Sequence, residues 1–356
     1  MVHSTGSKWR ITRVVCGVLV IMSMLMMVTS GCTNQSAKET VNIKLAHFFP
    51  ATHPVEVDLV QPWAEEVAEA TEGRVKITSY PGQTLLQADA IYDGVVSKIA
   101  EMGLSCFSYT RGRFPVLEAF ELPGVTYANS KVASKVAWDG IRELNPVEIQ
   151  DTKLMMVFAT GPGDLYTKDP VRNLGDLKGL TIRATGLSAK TLEALGASPV
   201  AMPQSEAYEA LSKSVVKGNL GPIEVLQGWK QAEVTEYLTR TPFLYNTLFF
   251  ITANLDVWNS ITPQDQEAIL EINERYFSEV AMGLWDKQNE SALTFAVEEN
   301  DMEVIDLPAE EIAQWVELVE PIQNEFVENM KKVGLPGVDA LTLVNSLADK
   351  YNQEFK

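Results

Sequence analysis

Cysteine and histidine are scarce in this chain: three of each in 356 residues. There is no C-x-x-C and no H-E-x-x-H, so neither a zinc site nor a disulfide scaffold is encoded. No G-x-S-x-G occurs, and His47 and His53 sit six apart with no serine elbow to serve, which removes the hydrolase triad. A Walker loop is also missing. The single Gly161-Pro-Gly163 lacks the third glycine of a dinucleotide loop, and its proline deletes an amide that a phosphate would need. Positive charge is in deficit, 29 Lys and Arg against 47 Asp and Glu for a formal charge of −18, which speaks against non-specific nucleic-acid binding. Many of the carboxylates fall on predicted solvated helix faces, so no pair stands out as acid and base. These absences describe a binding body, not an enzyme, with no cofactor and no metal.

What is present is an ordinary globular composition, 46% hydrophobic and 21% charged, long enough for two domains of roughly 150 residues. Lys8, Arg10 and Arg13 precede the uncharged run from Val14 to Val28, and Thr29, Ser30, Gly31 and Cys32 follow. That is the order of a secretory signal. A run of this length covers roughly 22 Å as a helix, short of a hydrocarbon core of about 30 Å. Gly31-Cys32 at the end of the run resembles a bacterial lipoprotein cleavage box, although Thr29 stands where such a box usually has Leu, Val or Ile; the resemblance implies a lipoprotein-type signal peptide over residues 1–31 and lipid on Cys32. Residues 32–40 form a polar tether. Cleavage removes three basic residues and no acid, taking the formal charge from −18 to −21. Cys16 leaves with the signal and Cys32 takes lipid, so Cys106 has no intramolecular partner.

Along the mature chain, the alternation in Val41–Ala46 predicts a strand, and Val57, Val60, Trp63, Ala64 and Val67 predict a helix that Gly73 stops. Further strands are expected over 75–80, 102–107, 154–159, 180–184, 199–202 and 248–253, with helices between them, which implies α/β architecture with largely parallel sheets. Ser205 reads as the cap of a helix through Leu211. From Pro263 one helical pattern runs without interruption past Trp285 towards Val297, roughly 50 Å, long enough to span two lobes.

One arginine stands out. Gly179-Leu-Thr-Ile-Arg183 places a guanidinium at the carboxyl end of a strand, where open sheets bind ligands. It reads equally as a salt bridge to one of many acids or as a planar two-donor clamp for a carboxylate.

The series His47-Phe-Phe-Pro-Ala-Thr-His-Pro54, Trp63-Ala-Glu-Glu-Val67, Tyr80-Pro81, Phe114-Pro115 and Glu121-Leu-Pro123 resembles the N-terminal lobe of the periplasmic solute-binding subunits of TRAP transporters, the DctP-type family. Asp176-Leu-Lys-Gly-Leu-Thr-Ile-Arg183, Leu195-Gly-Ala-Ser-Pro-Val200, Ser205-Glu-Ala-Tyr208, and Asn254 with Trp258 continue the match in order over most of 41–300. The resemblance implies a two-lobe periplasmic-binding-protein-like fold with a ligand cleft between lobes and a long lobe-spanning helix. Lobe I would comprise 41–160 plus about 247–287, and lobe II 161–246 plus about 288–345. It implies an extracytoplasmic protein that captures an organic acid by cleft closure and delivers it to an ion-gradient-driven permease, lipid-anchored on the periplasmic side. A ligand-presenting sensor or an exported α/β enzyme are the alternatives.

The family's carboxylate-anchoring arginine falls on Arg183. A second cleft arginine of the sialic-acid branch falls on Gly163, beside Asp164, and a position often held by asparagine falls on Gly221. Gly221 and Phe243 then imply a roomier, apolar cleft for a monocarboxylate with an apolar or aromatic body. Phe48, Phe49, Phe107 and Trp229 are the expected aromatic lining, and Gln87 a polar contact by family position. His47 is expected to be structural, and Cys106 a small core side chain.

Overall fold

The computed structural model describes residues 40–355. The signal at 1–31, the acceptor Cys32 and all of the 32–40 tether except Thr40 lie outside the described residues. Two sheets organise the rest. The first is built from β1 (Val41–His47), β2 (Val75–Tyr80), β3 (Met102–Cys106), β4 (Thr152–Ala159) and β10 (Leu248–Asn254), in the order β2-β1-β3-β10-β4. The second contains β5 (Asp164–Thr167), β6 (Thr181–Ala184), β7 (Ser198–Ala201), β8 (Gly218–Gly221), β9 (Tyr237–Thr239) and β11 (Glu303–Ile305), in the order β11-β9-β5-β8-β6-β7. Every residue of β3 and β10 is buried, as expected of strands covered on both faces.

Both sheets are mixed where largely parallel ones were expected. β1 runs parallel to β2 and β3, but β10 is antiparallel to both β3 and β4. The cause is connectivity: the chain completes β5–β9 in the second sheet and then re-enters the first from the opposite end. In the second sheet β5 opposes β8 and β9, while β6 is parallel to β7 and β8, which sets Arg183 level with Val200 on one side and Asn219 on the other.

The helices that bear on the site are α1 (Gln61–Ala70), α2 (Ser130–Leu144), α3 (Leu187–Ala194), α4 (Gln204–Ser212), α5 (Val225–Gly228), α6 (Pro263–Glu279) and α7 (Leu284–Thr294). The expected single helix from Pro263 is interrupted: Val280 leaves helical geometry at φ −122° and ψ −67°, and Ala281–Gly283 form one 3₁₀ turn. Docking explains the break. Asp286, just past it, accepts the Ser130 amide at 2.7 Å and the Lys131 amide at 3.2 Å, so α7 caps the first turn of α2. α6 packs on α1 and β4 of the first half, whereas α7 reaches α5 beside the second sheet. Ser205 lies inside α4 and caps nothing: the helix starts at Gln204 after Pro203, and Ser205 Oγ has no partner.

An aromatic stack forms the centre of the core. Trp285 is fully buried and lies 4.6 Å from Phe249 at 17°, with Phe158 5.6 Å away. Trp63 is tied across the core by its indole N–H to Asn273 Oδ1 at 2.8 Å. Because Trp285 is buried on all sides, Trp285→Ala should lower the free energy of unfolding by about 3–5 kcal/mol, read from the shift of the urea midpoint.

Candidate functional site

Arg183 is the penultimate residue of β6, only 2% exposed, and its planar head is held from two sides. Nε donates to the Met202 carbonyl at 3.0 Å and one terminal nitrogen to Asn219 Oδ1 at 3.2 Å. Asn219, level with it on β8, is itself oriented by donating to Gln231 Oε1 at 2.9 Å. Among the described residues no Asp or Glu lies within ion-pair distance of Arg183. A guanidinium is always charged, and a buried charge left without a counter-ion is costly.

The guanidinium lines a narrow chamber that is nearly filled, with a cavity volume of about 20 Å³, room for a water and not for an organic acid unless the walls part. One wall comes from the first half: Phe48 and Phe49 after β1, Cys106 at the end of β3, and Phe249 on β10. The facing wall carries Arg183, Thr185, Gln204, Glu224 and Trp229. Aromatic rings meet across it, Phe48 stacking 6.0 Å from Trp229 at 23° and Phe49 lying 6.1 Å from the same indole. Two polar contacts also cross: the Gln204 amide donates to Tyr109 Oη at 3.0 Å, and His53 Nε2 lies 3.2 Å from Glu224 Oε2. Three lining residues carry a buried polar atom with no partner, Thr185 Oγ1, Gln204 Nε2 and Trp229 Nε1. Each of them can donate a hydrogen bond, so together with Arg183 they form a cradle for an acceptor-rich, anionic group.

Of the expected site residues, the chamber brings together Arg183, Phe48, Phe49 and Trp229. It leaves out four. Phe107 packs edge-on against Phe114 at 4.9 Å and near Phe250 at 4.8 Å, and faces a separate crevice of about 360 Å³ that also holds Glu118, Glu121 and Gly186. β3 ends at Cys106, on the chamber side, and Phe107 opens a 3₁₀ turn, Phe107–Tyr109, that turns its ring to the other crevice. Gln87 is exposed, flanks a 3₁₀ turn and lines neither cavity. Gly221 is buried at the end of β8, its carbonyl accepting the Tyr166 hydroxyl at 3.0 Å, and sits behind Asn219 instead of on the wall. Phe243 is half-buried and packs against the core.

Gly163 has no room for a second arginine: a Cβ would fall 2.4 Å from Tyr245 Cδ1 and 2.6 Å from the Gly221 carbonyl oxygen. Neighbouring Asp164 is buried in β5 and accepts the Thr241 amide at 2.7 Å, and burial pushes its carboxyl up to about 6. His47 binds Glu56 at 2.8 Å and Ser79 at 3.0 Å, away from the chamber. Cys106 is free and buried, and burial raises its thiol well above the usual range. No group of three metal-ligating side chains occurs among the described residues. Thr185, Gln204, Glu224 and Tyr245 were not anticipated. Only Thr185 carried a signal, standing two residues beyond Arg183 and so on the same strand face.

Comparison with known proteins gives a consistent result. Residues 45–329 match the family model for bacterial extracellular solute-binding protein, family 7 (DctP). The C4-dicarboxylate-binding periplasmic protein DctP of Rhodobacter capsulatus is 27% identical, over 93% of this chain and 99% of that protein. Aligned stretches with curated relatives range from 62% to 99% of the relative's own length. A TRAP periplasmic solute-binding protein of Desulfovibrio salexigens, crystallised open with the C-terminus of a symmetry mate in its ligand site, is 33% identical. It matches 89% of this chain and 98% of that one, with a TM-score of 0.76. A TRAP solute-binding protein of Rhodoferax ferrireducens with copurified benzoate is 26% identical, over 89% and 100% of the two chains, with a TM-score of 0.83.

Glu121 borders the separate crevice. Its carboxylate accepts the Leu248 amide at 2.7 Å, yet burial, reinforced by Glu118, pushes it up to about 8 from the usual 4.5. A raised folded-state value means the folded protein holds this proton longer than the unfolded chain. The stabilisation is therefore complete below pH 4.5 and lost as the pH rises through 8. Wild-type stability should fall across that window by up to about 1.4 kcal/mol per pH unit from this group. Glu121→Gln should flatten the profile and exceed the wild type above pH 8, checked by urea unfolding at pH 5, 6.5, 8 and 9.

Proposed function

The chain belongs to the bacterial extracellular solute-binding protein family 7, a transport family and not an enzyme family, and from that premise we propose that it captures a small monocarboxylate with an apolar or aromatic body in the Arg183 chamber. The observation that carries this reading is a buried guanidinium with no carboxylate partner among the described residues, surrounded by three unpaired donors. A ligand carboxylate supplies the missing counter-ion and accepts the free N–H and O–H groups, and charge-assisted bonds of this kind are the stronger ones. Phe48, Phe49, Phe249 and Trp229 supply flat apolar walls suited to a ring. The copurified benzoate of the Rhodoferax relative supports an aromatic acid, while the Rhodobacter relative represents the competing dicarboxylate class.

Binding proceeds by closure. In the proposed division, 41–160 with about 247–287 forms one lobe and 161–246 with about 288–345 the other. An acid enters while they are apart, Arg183 orients it, and closing excludes water so that the ion pair strengthens in lower dielectric. The closed form is then what a TRAP membrane permease accepts. Residues 1–31 direct export and Cys32 carries lipid that keeps the protein near its permease. No helix among the described residues is long and apolar enough to cross a membrane.

A thermal-shift screen of phenyl, indole and branched-chain acids beside dicarboxylates and sugar acids should raise the melting temperature only with the first group. Arg183→Lys keeps the charge but loses the fork, and should weaken the best acid about 10- to 100-fold, the effect of about 1.5–3 kcal/mol for a hydrogen bond to a charged group. Unchanged affinity in a titration would remove Arg183 from the site.

A further inference from the structure

The chamber holds one anion as well as one cation. Glu224 lines it opposite the aromatic wall and is 3% exposed. Neither Lys nor Arg pairs with it among the described residues; its side-chain partner is His53, whose Nε2 lies 3.2 Å from Oε2. His53 Nδ1 accepts the Val55 amide at 3.1 Å, so the ring proton resides on Nε2 and is donated to the carboxylate. Glu224 is thus held by a single donor through Oε2, and its Oε1 makes no hydrogen bond among the described residues. The place is built for it. A Cβ on Gly228 would lie 2.7 Å from Glu224 Oε2 and 3.2 Å from His53 Nε2, so glycine one helical turn on makes the space, and Asn289 fixes the Glu224 amide at 2.9 Å.

We infer that Glu224 sets the charge and polarity of the ligand: it rejects a second carboxylate and accepts a hydrogen bond from a hydroxyl or N–H elsewhere on the bound acid. The inference rests on the reading of Arg183 as the carboxylate anchor. With that cation matched by the first carboxylate, a dianion would place its second charge beside a buried anion that no cation neutralises, and like charges in a dry space repel strongly. Discrimination of this sort needs a repulsive element as well as an attractive one. A donor on the ligand instead fills the free valence of Oε1. The ligand class is therefore a hydroxy- or amino-substituted monocarboxylate of aromatic type.

The test compares benzoate, 3- and 4-hydroxybenzoate, and the corresponding 1,3- and 1,4-benzenedicarboxylates by calorimetric titration of the wild type and Glu224→Gln. In the wild type the better hydroxy acid should bind at least tenfold more tightly than either dicarboxylate. In Glu224→Gln, which keeps an oxygen for His53 and turns repulsion into donation, that ratio should fall at least tenfold. A wild type that favours a dicarboxylate, or a ratio unmoved by the substitution, overturns the role of Glu224 alone. A wild type that binds none of the five overturns the Arg183 reading and this inference with it. Should the variant unfold, the wild-type order by itself still decides.

Discussion

Everything at the centre of this molecule is arranged around a positive charge that the described residues leave without a counter-ion. Arg183 is buried, its orientation is set by Met202 and Asn219, and no carboxylate pairs with it. The chain as a whole is strongly acidic, so the absence of an anion at this point is a property of the local fold and not of composition. Asn219 holds the guanidinium with a neutral oxygen, which fixes geometry without neutralising charge, and Gln231 behind it fixes Asn219. A salt bridge to a surface acid would have stabilised the arginine and disabled it as a receptor.

That charge is useful only in a dry place, and the dry place exists only where two sheets meet. Rings from both sides supply the apolar surround, from Trp229 on one wall through Phe48 and Phe49 to Phe249 and Trp285 on the other. The same stack is continuous with the main core, so the site's walls are as rigid as the packing behind them. Burial therefore acts twice, lowering the dielectric around the ion pair and fixing the donors that await a ligand.

Much of the scaffold was legible because strands buried on one or both faces leave a strong pattern, as in Val41–His47, Thr152–Ala159 and Leu248–Asn254. Among the short strands, β6 and β7 were expected but β5, β8, β9 and β11 were not: Gly218-Asn-Leu-Gly221 carries no apolar run, yet it is a central strand because β5 and β6 pair on either side of it. Arg183 was visible because a charge inside a strand is rare and strand ends are where ligands bind. Phe107 and Phe243 show the limit of that reasoning, since an aromatic side chain does not declare whether it faces core or cleft. Glu224 and Gln204 belong to segments whose neighbours are set by packing between distant parts of the chain, and nothing local distinguished them from the many other acids and amides. The break at Val280 was invisible for a related reason: both flanks favour helix, and the interruption serves a contact with α2 more than a hundred residues away in sequence.

The strand order carries a consequence for how the chain is made. β10 lies between β3 and β4, and β4 pairs with no other strand. Until residue 254 has emerged, β4 has no hydrogen-bonding neighbour in its sheet, and β11 completes the second sheet only at residue 305. A polypeptide delivered N-terminus first, from a ribosome or through a membrane pore, is therefore unable to finish either sheet early. Such distant pairings also make folding slow. β1 can pair with β2 and β3, and β5 with β8 and β9, before β10 is made, but neither sheet closes until the chain has passed residue 247.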